Sequence, residues 1–148
     1  MEIPKIYHTA SEEETRSLGE SLGRYLKAGD TVSLEGDLGT GKTAMAKGIA
    51  LGLGISDDLV SPTFTLVNTY EGPLTLHHFD VYRVDDPEEL YAIGWEEYVD
   101  GQAVCLVEWG DRIPELLPSN TLHIKLERNG AEEDGRIIVI ERQAVSSC

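Results

Sequence analysis

The stretch GDLGTGKTAM, residues 36–45, fills the pattern G-x-x-x-x-G-K-[ST], which is typical of a loop that binds nucleotide phosphates. Residues 31–35 (TVSLE) immediately before it predict a strand that runs directly into the loop. Residues 42–53 predict a helix, because apolar residues recur there at every fourth position. The motif therefore stands in the strand–loop–helix context that a phosphate-binding loop requires, and it indicates an α/β fold.

The residue types of the loop suit the binding of a nucleotide and a metal ion. Gly36 and Gly41 allow the backbone to fold around an anion with successive N–H groups directed inward. Lys42 is expected to reach the β- and γ-phosphates, and the Thr43 hydroxyl to ligate Mg²⁺. A guanine-reading Asn-Lys-x-Asp element is absent, because each asparagine is followed by Thr or Gly. ATP is therefore the expected nucleotide, and a glycine-rich turn without a ligand is the alternative.

The order of predicted elements defines the fold class. A helix is expected between Ser11, which begins a capping box, and Gly29. The other predicted helices are 42–53, 87–98 (broken by Gly94) and 112–117, and the predicted strands are 3–8, 31–35, 63–70, 74–82, 103–107, 121–127 and 136–142. This order predicts one P-loop NTPase-like domain over residues 1–143, with three layers, a mixed, mainly parallel sheet and C-terminal antiparallel strands. Residues 144–148 are expected to be a frayed tail.

Two carboxylates follow predicted strands and are candidates for the chemistry. Glu108 ends the apolar run AVCLV, which is typical of a strand buried on both faces. Asp80 ends the run LTLHHF. A phosphate-loop enzyme needs an acid at a strand end to hold the metal and orient water. We assign Glu108 to the Mg²⁺ shell and Asp80 to the γ-phosphate or the attacking water, with capping or surface carboxylates as the alternative.

Other side chains are candidates for support of this site. Ser61 and Thr63 flank Pro62 in a loop that is placed to sense the γ-phosphate, although a polar loop entering a strand would look the same. Arg83 and Arg136 are candidate phosphate contacts or surface ion pairs. Trp109 follows Glu108 directly and would either shield the site or pack in the core. His78 shares a strand face with Asp80, so it is expected to support that aspartate, whereas adjacent His77 points to the other face.

Composition and charge limit the function further. The chain has 148 residues and a formal net charge of −15, with only 12 Lys and Arg, so autonomous binding of nucleic acid is not expected. Its N-terminal residues resemble no secretory signal, and no apolar run approaches the roughly 18 residues of a membrane helix. The two cysteines, Cys105 and Cys148, lie far apart, and Cys105 is expected to be a buried thiol. A reducing cytoplasm is the expected location.

Five segments in order and spacing, LEGDLGTGKT, SPTFTLVNTY, HHFDVYR, DPEEL and CLVEW, strongly resemble the bacterial TsaE family over roughly residues 5–127. That family is the small P-loop ATPase of tRNA threonylcarbamoyladenosine biosynthesis. The resemblance implies a single α/β domain that binds and hydrolyses ATP. It also implies two protein partners, the transferase subunit TsaD and its inactive paralogue TsaB, which the ATPase would reset between turnovers. Contact with tRNA would then pass only through those partners.

The resemblance also assigns residues to the site. It implies Mg²⁺ ligation by Thr43 and Glu108, an essential strand-end aspartate at Asp80, and Glu12 near the base. The implied phosphate contacts are Leu38, Gly39, Thr40, Gly41, Lys42 and Thr43. Gly36, the glycine that begins the motif, is assigned to the nucleotide site with them. The segment from residue 128 onward matches the family less clearly, so the role of Arg136 stays open.

Two other functions fit the same loop. A small-molecule P-loop kinase would share the loop and the metal, but it would need an acceptor pocket and usually an arginine-bearing lid, and no arginine cluster follows Glu108. A nucleotide-dependent binding switch with little catalysis also fits, because orienting water takes only one well-placed side chain. Substitution of Asp80 and Lys42 separates these functions from ATP hydrolysis.

Overall fold

The computed structural model describes residues 3–37, 39–62, 65–130 and 133–142. Its helices are α1 (Glu12–Tyr25), α2 (Lys42–Gly52), α3 (Glu88–Ala92) and α4 (Trp95–Val99). Its strands are β1 (Lys5–Thr9), β2 (Thr31–Glu35), β3 (Val67–Tyr70), β4 (Leu76–Asp80), β5 (Val104–Glu108), β6 (Leu122–Arg128) and β7 (Arg136–Arg142). Leu38, Thr63 and the tail 144–148 lie outside the described residues, so the predictions for them stay predictions.

The described strands form one sheet in the order β1-β7-β6-β2-β5-β4-β3. Its centre is parallel, because β2 pairs in parallel with both β5 and β6, and β4 pairs in parallel with β5. Its edges are antiparallel: β3 pairs with β4 on one side, and β6, β7 and β1 follow one another on the other. The predicted mixed sheet with C-terminal antiparallel strands is confirmed.

Two hydrophobic clusters on opposite faces of the sheet give the three layers. One cluster packs α1 and α2 against the sheet, and the other packs α3 and α4 against the opposite face. Strand β5 contributes to both, because Val104 and Leu106 point to the first cluster and Cys105 and Val107 to the second. The apolar run that predicted a strand buried on both faces is thus explained by its alternating contacts.

Helices α1 and α2 pack with their backbones in close contact. A Cβ atom on Gly48 would lie 2.1 Å from the Arg16 carbonyl oxygen, and one on Gly52 would lie 2.1 Å from the Glu20 carbonyl oxygen. Only glycine leaves room for this approach. The predicted capping box is present at the start of α1, where Ser11 Oγ accepts from the Glu14 N–H at 3.1 Å. The close approach of the two helices at Gly48 and Gly52 places the start of α1 beside the start of α2.

Several element boundaries differ from the predictions. Strand β3 begins at Val67 rather than at residue 63, after Leu66 adopts a positive φ of 67°. The predicted helix over 112–117 is wrong: two 3-10 turns, Gly110–Arg112 and Pro114–Leu116, stand there, because Ile113, the residue before Pro114, is held out of the helical region at φ −130° and ψ 49°. The break at Gly94 is confirmed between α3 and α4. Among the described residues, no helix is long and apolar enough to span a membrane.

Candidate functional site

The phosphate loop lies where β2 ends and α2 begins, at the centre of the sheet. Ligands of open α/β sheets bind outside the carboxyl ends of the parallel strands, which is where this loop stands. A cavity of about 410 Å³ opens beside it. Its lining combines the loop, two strand ends and the start of α1: Glu12, Thr15, Gly39, Gly41, Lys42, Thr43, Ala44, Ser61, Asp80, Glu108, Trp109, Asp134 and Arg136.

Backbone geometry fixes the shape of the described part of the loop. Gly41 precedes α2 with a φ of 99°, a left-handed conformation that glycine adopts at little cost. Gly36 is confined as well, since a Cβ there would lie 2.5 Å from the Leu126 carbonyl oxygen. Thr40 is buried and donates its hydroxyl to the Asp37 carbonyl at 2.7 Å. Gly36 and Thr40 line a second cavity behind the loop rather than the first.

Lys42 is held against the loop and against Trp109. Its ammonium group donates to the carbonyl oxygens of Gly36 and, at 3.0 Å, of Asp37. Its Nζ atom lies 3.7 Å from the centroid of the Trp109 ring. Burial lowers the pKa of the Lys42 ammonium below its ordinary value, while the negative charge of Glu108 works against that shift. The Lys42 side chain thus lies at the loop and lines the cavity.

Asp80 and Glu108 bring two carboxylates to the same end of the sheet. They are paired in register at the ends of β4 and β5, and both line the cavity with Thr43. Mg²⁺ prefers oxygen ligands and is usually bound through one or two carboxylates together with substrate phosphates. The described residues contain no cluster of three or more His, Cys, Asp or Glu side chains that could hold a metal alone. The donor set therefore fits Mg²⁺ that arrives with a nucleotide.

His78 supports Glu108 rather than Asp80. Its Nε2 atom lies 2.6 Å from Glu108 Oε2, and only 2% of its surface is exposed. The expected support of Asp80 is not found, because the imidazole reaches across to the neighbouring strand β5. Nδ1 has no hydrogen-bond partner among the described residues, so a proton on Nε2 satisfies the carboxylate. This hydrogen bond fixes the orientation of the Glu108 carboxylate.

Asp80 is oriented by two donors outside β4. Its Oδ2 atom accepts from the Ser61 hydroxyl at 3.3 Å, and its Oδ1 atom accepts from the Tyr82 N–H at 3.0 Å. The structure thus brings Ser61 to Asp80, while the predicted sensing of the γ-phosphate stays a prediction. The Tyr82 contact was missed, because a backbone donor two residues along carries no signal in side-chain type.

The remaining candidates fall in different places. Trp109 has a positive φ of 65° and packs against Tyr82 with ring centroids 4.7 Å apart, so it both lines the cavity and contacts the second hydrophobic cluster. Glu12 lines the cavity from the first turn of α1. Arg83 is exposed and does not line the cavity. Its predicted role stays a prediction.

Three lining residues, Thr15, Ala44 and Asp134, were missed by the sequence analysis. Thr15 lies three residues after Glu12 and so on the same side of α1, a spacing that could have identified it. Its hydroxyl lies 2.7 Å from that of Thr9 in the interior. Asp134 precedes β7 in a segment without a recognisable motif, so no comparable signal pointed to it.

Comparison with known proteins gives a consistent result. The family model described as "Threonylcarbamoyl adenosine biosynthesis protein TsaE" matches residues 9–138. A protein of Bacillus subtilis named "tRNA threonylcarbamoyladenosine biosynthesis protein TsaE" is 46% identical over 86% of this chain and 80% of its own length. A protein of that name from Treponema pallidum is 47% identical over 78% of this chain and 86% of its own length.

A solved structure shares the fold as well. The structure titled "Crystal structure of Bacillus subtilus YdiB" superposes with a TM-score of 0.80 at 40% identity. The alignment covers 96% of this chain and 86% of that one. This similarity shows that the two chains share one fold.

Proposed function

The chain belongs to the TsaE family of tRNA threonylcarbamoyladenosine biosynthesis, and from that premise we propose that it binds ATP with Mg²⁺ and hydrolyses it. The observation that carries the proposal is the convergence of Lys42, Asp80 and Glu108 on one cavity beside the phosphate loop. Phosphoryl transfer to water needs positioning and charge stabilisation more than covalent chemistry. A loop, a cation and two carboxylates supply those functions.

Each group in the cavity has a role in this proposal. The amides of residues 39–43 and the start of α2 would bind the phosphates, and Lys42 would exchange its loop carbonyls for phosphate oxygens. Thr43 and Glu108 would hold Mg²⁺, which supplies charge neutralisation at the β- and γ-phosphates. Asp80, kept in place by Ser61, would orient the attacking water and accept its proton.

We also propose that hydrolysis resets the TsaB–TsaD transferase between turnovers. A nucleotide can shift a partner only if its triphosphate and diphosphate forms bind the partner-competent state with different affinity. Loss of the γ-phosphate would change the hydrogen bond between Ser61 and Asp80. The net charge of −15 favours contact with tRNA through the partners rather than directly.

The cytoplasm is the proposed location. Burial raises the pKa of the Cys105 thiol to about 12, so the thiol stays protonated and unreactive in the core. A buried reduced cysteine suits a compartment that keeps thiols reduced.

Measurement of phosphate release tests the enzymatic part directly. With Mg²⁺ present, we expect the chain to release inorganic phosphate from ATP and to lose ATP binding in the Lys42→Ala variant. Transfer of the γ-phosphate to any metabolite faster than to water would replace the proposal with a kinase. Tight ATP binding without release, alone or with TsaB and TsaD, would replace it with a binding switch.

A further inference from the structure

Arg136, the first residue of β7, binds the backbone of the phosphate loop from a distant part of the chain. Its Nε atom donates to the Thr40 carbonyl at 2.9 Å, and its Nη2 atom donates to the Gly39 carbonyl at 3.2 Å. Its Nη1 atom donates to the carbonyls of Gly135 at 2.8 Å and Glu133 at 3.0 Å. All three nitrogens of the guanidinium are thus engaged by backbone carbonyls.

These contacts bear on the direction of the loop amides. In a trans peptide the carbonyl and the N–H of one peptide unit point in opposite directions. The Gly39 carbonyl shares its peptide unit with the Thr40 N–H, and the Thr40 carbonyl shares its unit with the Gly41 N–H. Because Arg136 holds both carbonyls, it fixes these two amides pointing away from the guanidinium. An anion-binding loop depends on such fixed amide directions.

We propose that Arg136 is a positioning residue that holds the phosphate loop in its anion-binding conformation. The inference rests on the proposed nucleotide binding at this loop. It differs from a bidentate phosphate contact, because four of the five N–H donors of the guanidinium are already bound to backbone carbonyls. Only an arginine can do this from one side chain, since its planar fork presents donors in two directions while a lysine offers a point charge.

A second arginine of the same hairpin lies beside the loop. Arg128 is the register partner of Arg136, and its Nη2 atom lies 2.6 Å from the place where a Cβ of Gly39 would stand. A side chain at position 39 would therefore displace the Arg128 guanidinium. The hairpin formed by β6 and β7 thus lies against the loop through two neighbouring residues, and Arg136 supplies the hydrogen bonds.

The test compares Arg136→Lys with Arg142→Lys by titration with Mg·ATP and Mg·ADP. Arg142 is a matched control, because it lies on the same strand and donates to the Asn120 carbonyl at 2.9 Å far from the loop. We expect Arg136→Lys to weaken the binding of both nucleotides about tenfold and by the same factor, since charge-assisted hydrogen bonds to the loop are lost. The turnover of bound ATP should change less than the affinity, and Arg142→Lys should bind like the wild type.

Two results would overturn the inference. Wild-type affinity in Arg136→Lys would show that the loop needs no support, and weakened ATP with unchanged ADP would show a direct γ-phosphate contact. Hydrogen exchange of the ligand-free folded variants separates this inference from the proposed function. We expect faster exchange at the amides of residues 40 and 41 in Arg136→Lys alone. Unchanged exchange at these two amides would overturn the inference, whether or not the wild type binds nucleotide. Absence of nucleotide binding by the wild type would instead refute the proposed function.

Discussion

Asp80 and Glu108 stand directly opposite each other in register at the ends of parallel strands β4 and β5, yet their surroundings differ. Glu108 is 7% exposed and bonded to a buried imidazole, whereas Asp80 is half-buried and bonded to a loop hydroxyl and a backbone amide. A buried carboxylate whose orientation is fixed by a hydrogen bond is suited to ligate a metal ion. A carboxylate at the cavity surface suits the orientation of water.

Replacement of Asp80 by Asn should separate hydrolysis from binding. We expect ATP turnover to fall at least about tenfold, because a positioned acid–base group contributes roughly 10²–10⁴-fold. The affinity for ATP should remain close to that of the wild type, since the amide keeps the size of the side chain. Steady-state phosphate release and equilibrium binding measure the two effects. Asp57→Asn, in an exposed loop, is the control, and unchanged turnover in Asp80→Asn would exclude a direct role.

Tryptophan emission should report nucleotide binding through Trp109. Lys42 Nζ lies 3.7 Å from this ring, and a phosphate that draws the ammonium away would change the surroundings of the indole. We expect Mg·ATP to change the emission of the wild type. The Trp109→Phe variant should lose that change while it keeps the emission of Trp95, which is buried inside the second hydrophobic cluster and does not line the cavity. A full response in Trp109→Phe would contradict the contact as the source.

The His78→Leu variant should weaken the binding of Mg²⁺ at Glu108. Loss of the donor leaves the buried Glu108 carboxylate short of a hydrogen bond, which should lower the free energy of unfolding by about 1–3 kcal/mol. The Mg²⁺ concentration for half-maximal turnover should rise about 10–100-fold, as for other partners of metal ligands. His77→Leu is the matched control, because its imidazole bonds Thr69 at the sheet edge. Equal Mg²⁺ dependence in the two variants would refute the role of His78.

The close contact of α1 and α2 should make Gly48 intolerant of a side chain. A Cβ there would lie 2.1 Å from the Arg16 carbonyl oxygen, so the helices must move apart. We expect Gly48→Ala to lower the free energy of unfolding by about 1–3 kcal/mol in a denaturant titration. Gly130→Ala, where nothing lies within 4 Å, should change it by less than about 0.5 kcal/mol. Equal stability of both variants would contradict the packing.

The sequence predicted those parts of the site that depend on local pattern. The phosphate loop, the strand-end positions of Asp80 and Glu108, and the break at Gly94 all follow from residue type and spacing. Contacts between distant segments could not be predicted in this way. The bond from Arg136 to the loop spans 96 positions, and the choice of Glu108 over Asp80 by His78 depends on how β4 lies beside β5. The predicted helix over 112–117 fails for a local reason, since Pro114 disfavours a helical backbone at the preceding Ile113.

The most direct test of the proposed reset counts the modified tRNA produced by each TsaB–TsaD pair. The transferase, threonylcarbamoyl donor, tRNA, ATP and Mg²⁺ are combined with either the wild type or Asp80→Asn at concentrations that saturate both with nucleotide. We expect many rounds with the wild type and a stop after the first round with Asp80→Asn. Many rounds at an equal rate with Asp80→Asn, while its ATP hydrolysis is lost, would contradict the claim that hydrolysis resets the transferase.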